Sequence, residues 1–263
     1  EPTMPIDVAK ARALEWRLVH RIADRLAATL RRAFEQVIRR VSGRLTVDAE
    51  LVGRAIAQQD ADPLGRAGAF DQLGAELEPA FRAAATAAVQ ETGQLAGAEL
   101  DFRFDQTNPY AVRAIDAEVR TILDRVMPES RAAVQRVLQE GFVLGIPPRD
   151  MARRLAQERT LGLTERYATA VWNFHQGQLE QDVAPAVAER RAADYADRLL
   201  RVRAEAVART ETLRASNAGQ QAAWSQAADE GLLDLSVTRQ VWIITPDDRL
   251  CPICEAIPIL NPD

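Results

Sequence analysis

The sequence predicts a mainly α-helical protein, an elongated bundle of long helices with a small C-terminal β element packed on the last long helix. Three observations support this prediction. Apolar residues recur at helical spacing over long segments. Glycine and proline are concentrated in short breaks, and β-branched residues form a strand-like run at residues 237–245.

Composition narrows the classes of protein to which the chain can belong. Its 263 residues are enough for a core that needs neither metal nor disulfide. Hydrophobic residues make up 47%, and no stretch approaches the roughly 18 apolar residues of a membrane-spanning helix, so we expect no membrane partner. The net charge of −5 argues against a polycation built to wrap nucleic acid. Two cysteines give no disulfide framework, which favours synthesis in a reducing cytoplasm.

The N-terminal region, residues 1–101, is predicted to contain three helical segments. The first covers residues 7–41, where apolar residues recur every four positions, from Leu14 to Ile38. The second covers residues 46–59 and ends in a cluster of breakers around Pro63. The third, within residues 66–100, is rich in alanine and carries Gly93 and Gly97 four residues apart, which indicates close helix packing in water.

An extended linker is predicted at residues 102–109, and a domain boundary is placed there, so that residues 102–263 form a second domain. Helical segments at 111–126 and 129–142 follow, and then two short helices, the second capped by Thr164. The two short helices resemble a helix-turn-helix, but without a basic recognition face an ordinary helical hairpin is the favoured interpretation.

Residues 185–230 predict one very long helix or two nearly collinear ones. On this segment we predict a buried stripe that includes two polar residues, Thr210 and Asn217. The predicted positions of the stripe are Leu199, Val202, Ala206, Thr210, Leu213, Asn217, Gln220 and Trp224. A buried amide or hydroxyl without a partner costs about 1–3 kcal/mol, so these two side chains need partners. The β element at about 236–263 is the expected partner, through a polar network that also involves the face of the helix carrying Glu205, Arg209, Thr212 and Ser216.

Two motifs point to a family. The first is Ala208-Arg209-Thr210-Glu211-Thr212 with Asn217, Gly219, Gln220 and Trp224, and the second runs from Trp242 through Thr245, Asp247, Asp248 and Arg249 to Cys251 and Cys254. In this order and separation they resemble the phage Mu F-like head-morphogenesis family of minor capsid proteins, over residues 102–254.

The resemblance implies a structural virion protein that is made in the bacterial cytoplasm and lies in the head interior or at the portal vertex. It would act in head assembly and in DNA packaging or ejection, as a protein present in few copies. The implied partners are the portal protein and major capsid or scaffold proteins, with packaged DNA as a non-specific partner. No membrane partner is implied.

Cys251 and Cys254 have the spacing of half a zinc site, in which two thiolates reach one metal at about 2.3 Å. The family usually continues with a cluster of His and Cys, which residues 255–263 lack. We therefore expect no cofactor, and zinc only if further ligands exist beyond residue 263. A zinc-knuckle module that binds DNA is one alternative function.

A second alternative is an ADP-ribosyltransferase-like enzyme built around Arg209 and Glu211, although structural hydrogen bonding is favoured for that pair. No other catalytic constellation can be named, and His175 is interpreted as a packing or surface histidine. The sequence therefore favours a protein that is not an enzyme. Arg198, Arg201 and Arg203 are candidates for contact with DNA phosphates, with solvated faces as the default interpretation.

Overall fold

The computed structural model describes residues 8–44, 49–58 and 69–234, and in these ranges all regular secondary structure is helical. The seven α-helices, numbered in chain order, are α1 (Val8–Arg44), α2 (Ala49–Gln58), α3 (Ala69–Glu99), α4 (Pro109–Val143), α5 (Pro148–Gln157), α6 (Glu165–Glu180) and α7 (Pro185–Asp229). A 3-10 turn, Thr160–Gly162, links α5 to α6. At 1.5 Å per residue, the 45 residues of α7 extend about 67 Å. The prediction of a mainly α protein with long helices is confirmed.

Four long helices form the body of the molecule, with α3 and α7 packed against each other in the middle. They are parallel, because Ala85 lies beside Glu211 and Thr92 beside Ser216. α1 packs on both of them from one side and α4 from the other. α1 runs antiparallel to α7, because Ala23 lies beside Thr212 and Arg31 beside Glu205. α4 is also antiparallel to α7, because its start lies beside Gln226 and its middle beside Arg203.

Local sequence explains where the helices begin. Asn108 caps α4, because its Oδ1 accepts a hydrogen bond from the Ala111 amide at 2.8 Å, and Pro109 occupies the first turn. Thr164 caps α6 as predicted, with Oγ1 3.3 Å from the Tyr167 nitrogen. Gly145 adopts a φ of +63° just after α4, which lets the chain turn sharply into α5.

One predicted break is wrong. The segments 111–126 and 129–142 are a single helix, α4, which continues through Pro128. A proline inside a helix removes one backbone hydrogen bond, and the burial of Val126 and Val134 on either side of Pro128 offsets that loss.

The predicted linker at 102–109 is short and packed onto the helices. A Cβ at Gly93 would lie 2.3 Å from the Phe104 ring, and one at Gly97 would lie 2.8 Å from the Phe102 carbonyl oxygen. Because glycine has no Cβ, the segment that follows α3 can pack against both positions. Gly93 and Gly97 are thus closely packed, but against the segment that follows α3 and not against a second helix as predicted. Residues from both sides of the linker share one core, and the division into domains at residue 102 stays a prediction.

The predicted β element at 236–263 lies outside the described residues. None of the helices in the described ranges is both long enough and apolar enough to cross a lipid bilayer.

Candidate functional site

The first motif lies in the C-terminal half of α7 and divides between two faces of the helix. Glu211 and Gly219 are buried in the bundle, whereas Arg209, Thr210 and Asn217 are exposed. Trp224 is half-buried and packs against a small cluster of apolar residues at the end of α3. One face of the motif therefore fixes α7 in the bundle, and the other faces outward.

The predicted buried stripe on α7 is wrong. Thr210 and Asn217 face solvent, and so does Val202, which is 53% exposed. The residues that are buried instead are mostly small: Ala204, Ala208, Thr212, Ala215, Ser216, Gly219, Ala222 and Ala223. The sequence prediction followed the larger apolar side chains, but the close approach of α3 selects the small ones. The partners predicted for Thr210 and Asn217 are therefore not needed to satisfy buried groups.

Gly219 marks the closest approach of α7 to α3. A Cβ there would lie 2.3 Å from Thr92 Oγ1 and 2.6 Å from the Val89 carbonyl oxygen. The Thr92 hydroxyl lies 2.7 Å from the carbonyl oxygens of both Ser216 and Ala88, and it can donate to either. Glycine is needed at position 219 because the two backbones almost touch.

Thr212 connects α7 to α1. Its hydroxyl lies 3.1 Å from the Ala23 carbonyl oxygen and 2.8 Å from that of Ala208. Glu205, on the predicted polar face, pairs with Arg31 at 3.1 Å near the surface. Two residues of this face therefore tie α7 to α1, whereas the contact predicted for the face, with the β element, lies outside the described residues.

Glu211 is the most unusual residue of the motif, with 2% of its surface exposed. Arg125 Nη2 on α4 contacts its Oε1, and Arg214 Nη1 lies 3.8 Å from its Oε2. Arg214 Nε in turn lies 3.6 Å from Glu118 Oε2 on α4. Burial raises the pKa of Glu211 above its ordinary value of 4.5, although the positive charges of Arg125 and Arg214 lower it.

Arg209 and Glu211, the pair required by the transferase alternative, are not brought together. Residues two apart on a helix point in nearly opposite directions, and here Arg209 is exposed while Glu211 is buried beside Arg125. The narrow space next to Glu211, between α1, α3 and α4, is too small to hold a water molecule.

The three candidates for DNA contact differ in their exposure to solvent. Arg198 and Arg201 are exposed, and Arg198 lies over the Tyr195 ring at 5.5 Å. The prediction for Arg203 is wrong, because its side chain is 3% exposed. Arg203 donates to the Leu163 carbonyl oxygen at 2.7 Å and to Glu129 Oε2 at 2.8 Å, and so ties α7 to α4 and to the turn before α6.

Sequence reasoning missed a second buried ionic cluster, between α5 and α6. Arg154 Nε donates to Glu158 Oε1 at 2.9 Å, and its guanidinium stacks on Trp172 at 3.9 Å from the ring centroid. His175 Nδ1 lies 3.2 Å from Glu158 Oε1 and also contacts Arg154 Nη2. His175 is buried, which agrees with the first of the two predicted alternatives, a packing histidine or a surface one. The i, i+4 spacing of Arg154 and Glu158 was the available signal.

The second motif lies outside the described residues. This applies to Trp242, Thr245, Asp247, Asp248, Arg249, Cys251 and Cys254. Within residues 8–44, 49–58 and 69–234, no group of three or more His, Cys, Asp or Glu residues is arranged to hold a metal ion. Zinc at the cysteine pair stays a prediction.

Comparison of the chain with protein-family models, with curated proteins and with solved structures gave no significant match.

Proposed function

We propose that this chain is a structural minor capsid or head-morphogenesis protein of a tailed phage, associated with the portal and the head interior. It acts in head assembly and in DNA packaging or ejection. The observation that carries the proposal is the division of the α7 motif. Glu211 and Gly219 hold α7 in the bundle, while Arg209, Thr210 and Asn217 form an outward polar surface on the longest helix. We call these three residues the outward triad.

The buried charges support a scaffold role. Arg203 and Arg154 each contact groups on neighbouring elements, so their charges connect helices. Such contacts favour one specific arrangement of the helices, because another arrangement would leave a buried charge without its partner. A protein whose task is to present a rigid surface to partners gains from that specificity. For DNA, the exposed Arg198 and Arg201 are the remaining candidates.

The proposal is tested by co-purification with portal protein from procapsids. Alanine at all three positions of the outward triad removes exposed groups only, so the variant should fold like the wild type. A matched control carries alanine at Arg190 and Asp194, which are also exposed on α7 but lie outside the motif.

We expect the triad variant to capture at least about tenfold less portal protein than the wild type. A tenfold change corresponds to the loss of a polar contact worth about 1.4 kcal/mol of binding free energy. The control should retain it at the wild-type level. Equal capture by the triad variant and the wild type would contradict the role of this surface. Failure of the wild type to capture portal protein would contradict the proposed function itself.

A further inference from the structure

Four charged residues form an ionic ladder along the contact of α4 with α7. They alternate in sign in the order Arg125, Glu211, Arg214, Glu118, and the two helices contribute two residues each. The members differ in burial, because the Glu211 side chain is 1% exposed whereas those of Arg125 and Arg214 are 37% and 42% exposed. The negative charge thus lies in the interior, while the positive charges that balance it lie at the rim.

The remaining surroundings of Glu211 are mostly apolar. The helices α1 and α3 face it with alkyl and aromatic groups, and α4 and α7 add one residue each beside the ladder. The residues that line this narrow space with Glu211 are Leu30, Phe81, Ala84, Ala85, Ile122 and Thr212. A carboxylate in such a place loses its hydration, and two rim arginines restore only part of the lost free energy.

We infer that Glu211 is a proton-operated clamp on the contact between α4 and α7. When its carboxyl group is protonated, the neutral side chain fits the apolar space and the two helices close tightly. When the group is ionised, the carboxylate is hydrated only if the contact opens. This hydration lowers the free energy of opening, so the contact opens more often. Arg125 and Arg214 limit this loosening at the rim, where they stay hydrated in both states.

The direction of the pH dependence follows from burial. Burial raises the pKa of Glu211, so there is a pH window, above the ordinary value of 4.5, in which the folded chain holds a proton that the unfolded chain has lost. The free energy of unfolding therefore falls as the pH rises through this window. Glu211 favours the closed contact on the acidic side and disfavours it on the neutral side.

The test is hydrogen exchange of the backbone amides of residues 118–129 and 207–218 in the intact chain, at about pH 5 and about pH 7.5, corrected for intrinsic rates. Glu211→Gln keeps the shape of the side chain without its charge. The matched control is Glu205→Gln, on the same helix, where the carboxylate is half-exposed and pairs with Arg31.

In the wild type we expect the corrected exchange of both segments to be at least about threefold faster at the higher pH. Glu211→Gln should remove this difference, and Glu205→Gln should preserve it. Arg125→Gln provides a second variant, because loss of the balancing charge should increase the difference. A wild type without pH dependence in these segments, or a Glu211→Gln variant that keeps it, would overturn the inference.

Discussion

Arg203 offers the sharpest test of the bundle, because the sequence suggests a surface residue and the structure makes it an interior one. Replacement by methionine keeps the length of the side chain and removes its charge. The Leu163 carbonyl oxygen then loses its donor at 2.7 Å, which costs about 1–3 kcal/mol for a buried acceptor. Glu129 is 39% exposed and can be hydrated instead.

Two smaller terms complete the estimate. Desolvation of the guanidinium lowers the pKa of Arg203, and replacement by methionine relieves this desolvation. The replacement also removes the contact of the guanidinium with the Phe34 ring at 5.9 Å. These two terms act in opposite directions, so we expect Arg203→Met to lower the free energy of unfolding by about 1–3 kcal/mol. The matched control, Arg201→Met, changes an exposed residue two positions earlier on the same helix and should stay within about 0.5 kcal/mol.

Urea denaturation followed by circular dichroism measures both variants against the wild type. The slope of the free energy against urea concentration should be unchanged, so that the midpoints compare directly. A loss below about 1 kcal/mol for Arg203→Met, or a loss as large for Arg201→Met, would refute the assignment of Arg203 as an interior connection.

Three further predictions use the same assay. Gly219→Ala should lower the free energy of unfolding by at least about 1–3 kcal/mol, because its Cβ would lie 2.6 Å from a backbone carbonyl oxygen. At Gly177, which is also in a helix, an added Cβ would have no atom within 4 Å, so Gly177→Ala should instead raise the free energy of unfolding by about 0.5–1 kcal/mol. Equal effects at the two glycines would contradict the close helix contact. Glu158→Gln leaves a buried guanidinium without its carboxylate and should cost about 3–5 kcal/mol. The same change at the exposed Glu78 should cost under about 1 kcal/mol, and a cost as small at Glu158 would count against the buried cluster. Asn108→Ala removes a helix cap and should cost about 1–2 kcal/mol, whereas an unchanged midpoint would show that the cap is not formed.

The helices themselves could be predicted from the sequence, because their length leaves many turns over which the periodic pattern repeats. The cap at Thr164 was predicted correctly, and α7 is the first of the two alternatives predicted for residues 185–230, one very long helix. The predicted break before Pro128 failed because proline is a local signal, and packing along the whole of α4 outweighs the loss of one hydrogen bond.

The buried face of α7 could not be predicted correctly, and the reason is the identity of its neighbour. Large apolar side chains usually mark the core, but Val202 faces outward, and small residues such as Ser216 and Gly219 form the close contact of α7 with α3. Alanine, serine and glycine fit that contact, and their small hydrophobicity gave little signal. A tertiary contact of this kind is not contained in the pattern of one helix.

The partners of Glu211 could not be predicted from the sequence either. Arg125 and Glu118 lie seven residues apart on α4, which places them on one face, but nothing in that spacing names α7 as the helix they meet. Arg203 was misassigned for a related reason, because an arginine in an arginine-rich segment looks like its exposed neighbours Arg198 and Arg201. The burial of a single charge depends on the packing of several helices.

The proposed function is tested most directly by measuring how many copies of this chain each purified phage head contains. Quantitative mass spectrometry of assembled heads, with the portal protein as the internal reference, gives that ratio. A structural head protein of the proposed kind should be present in a small, constant number per portal and should remain after washing with high salt. Heads that assemble normally and contain none of the chain would contradict the proposal.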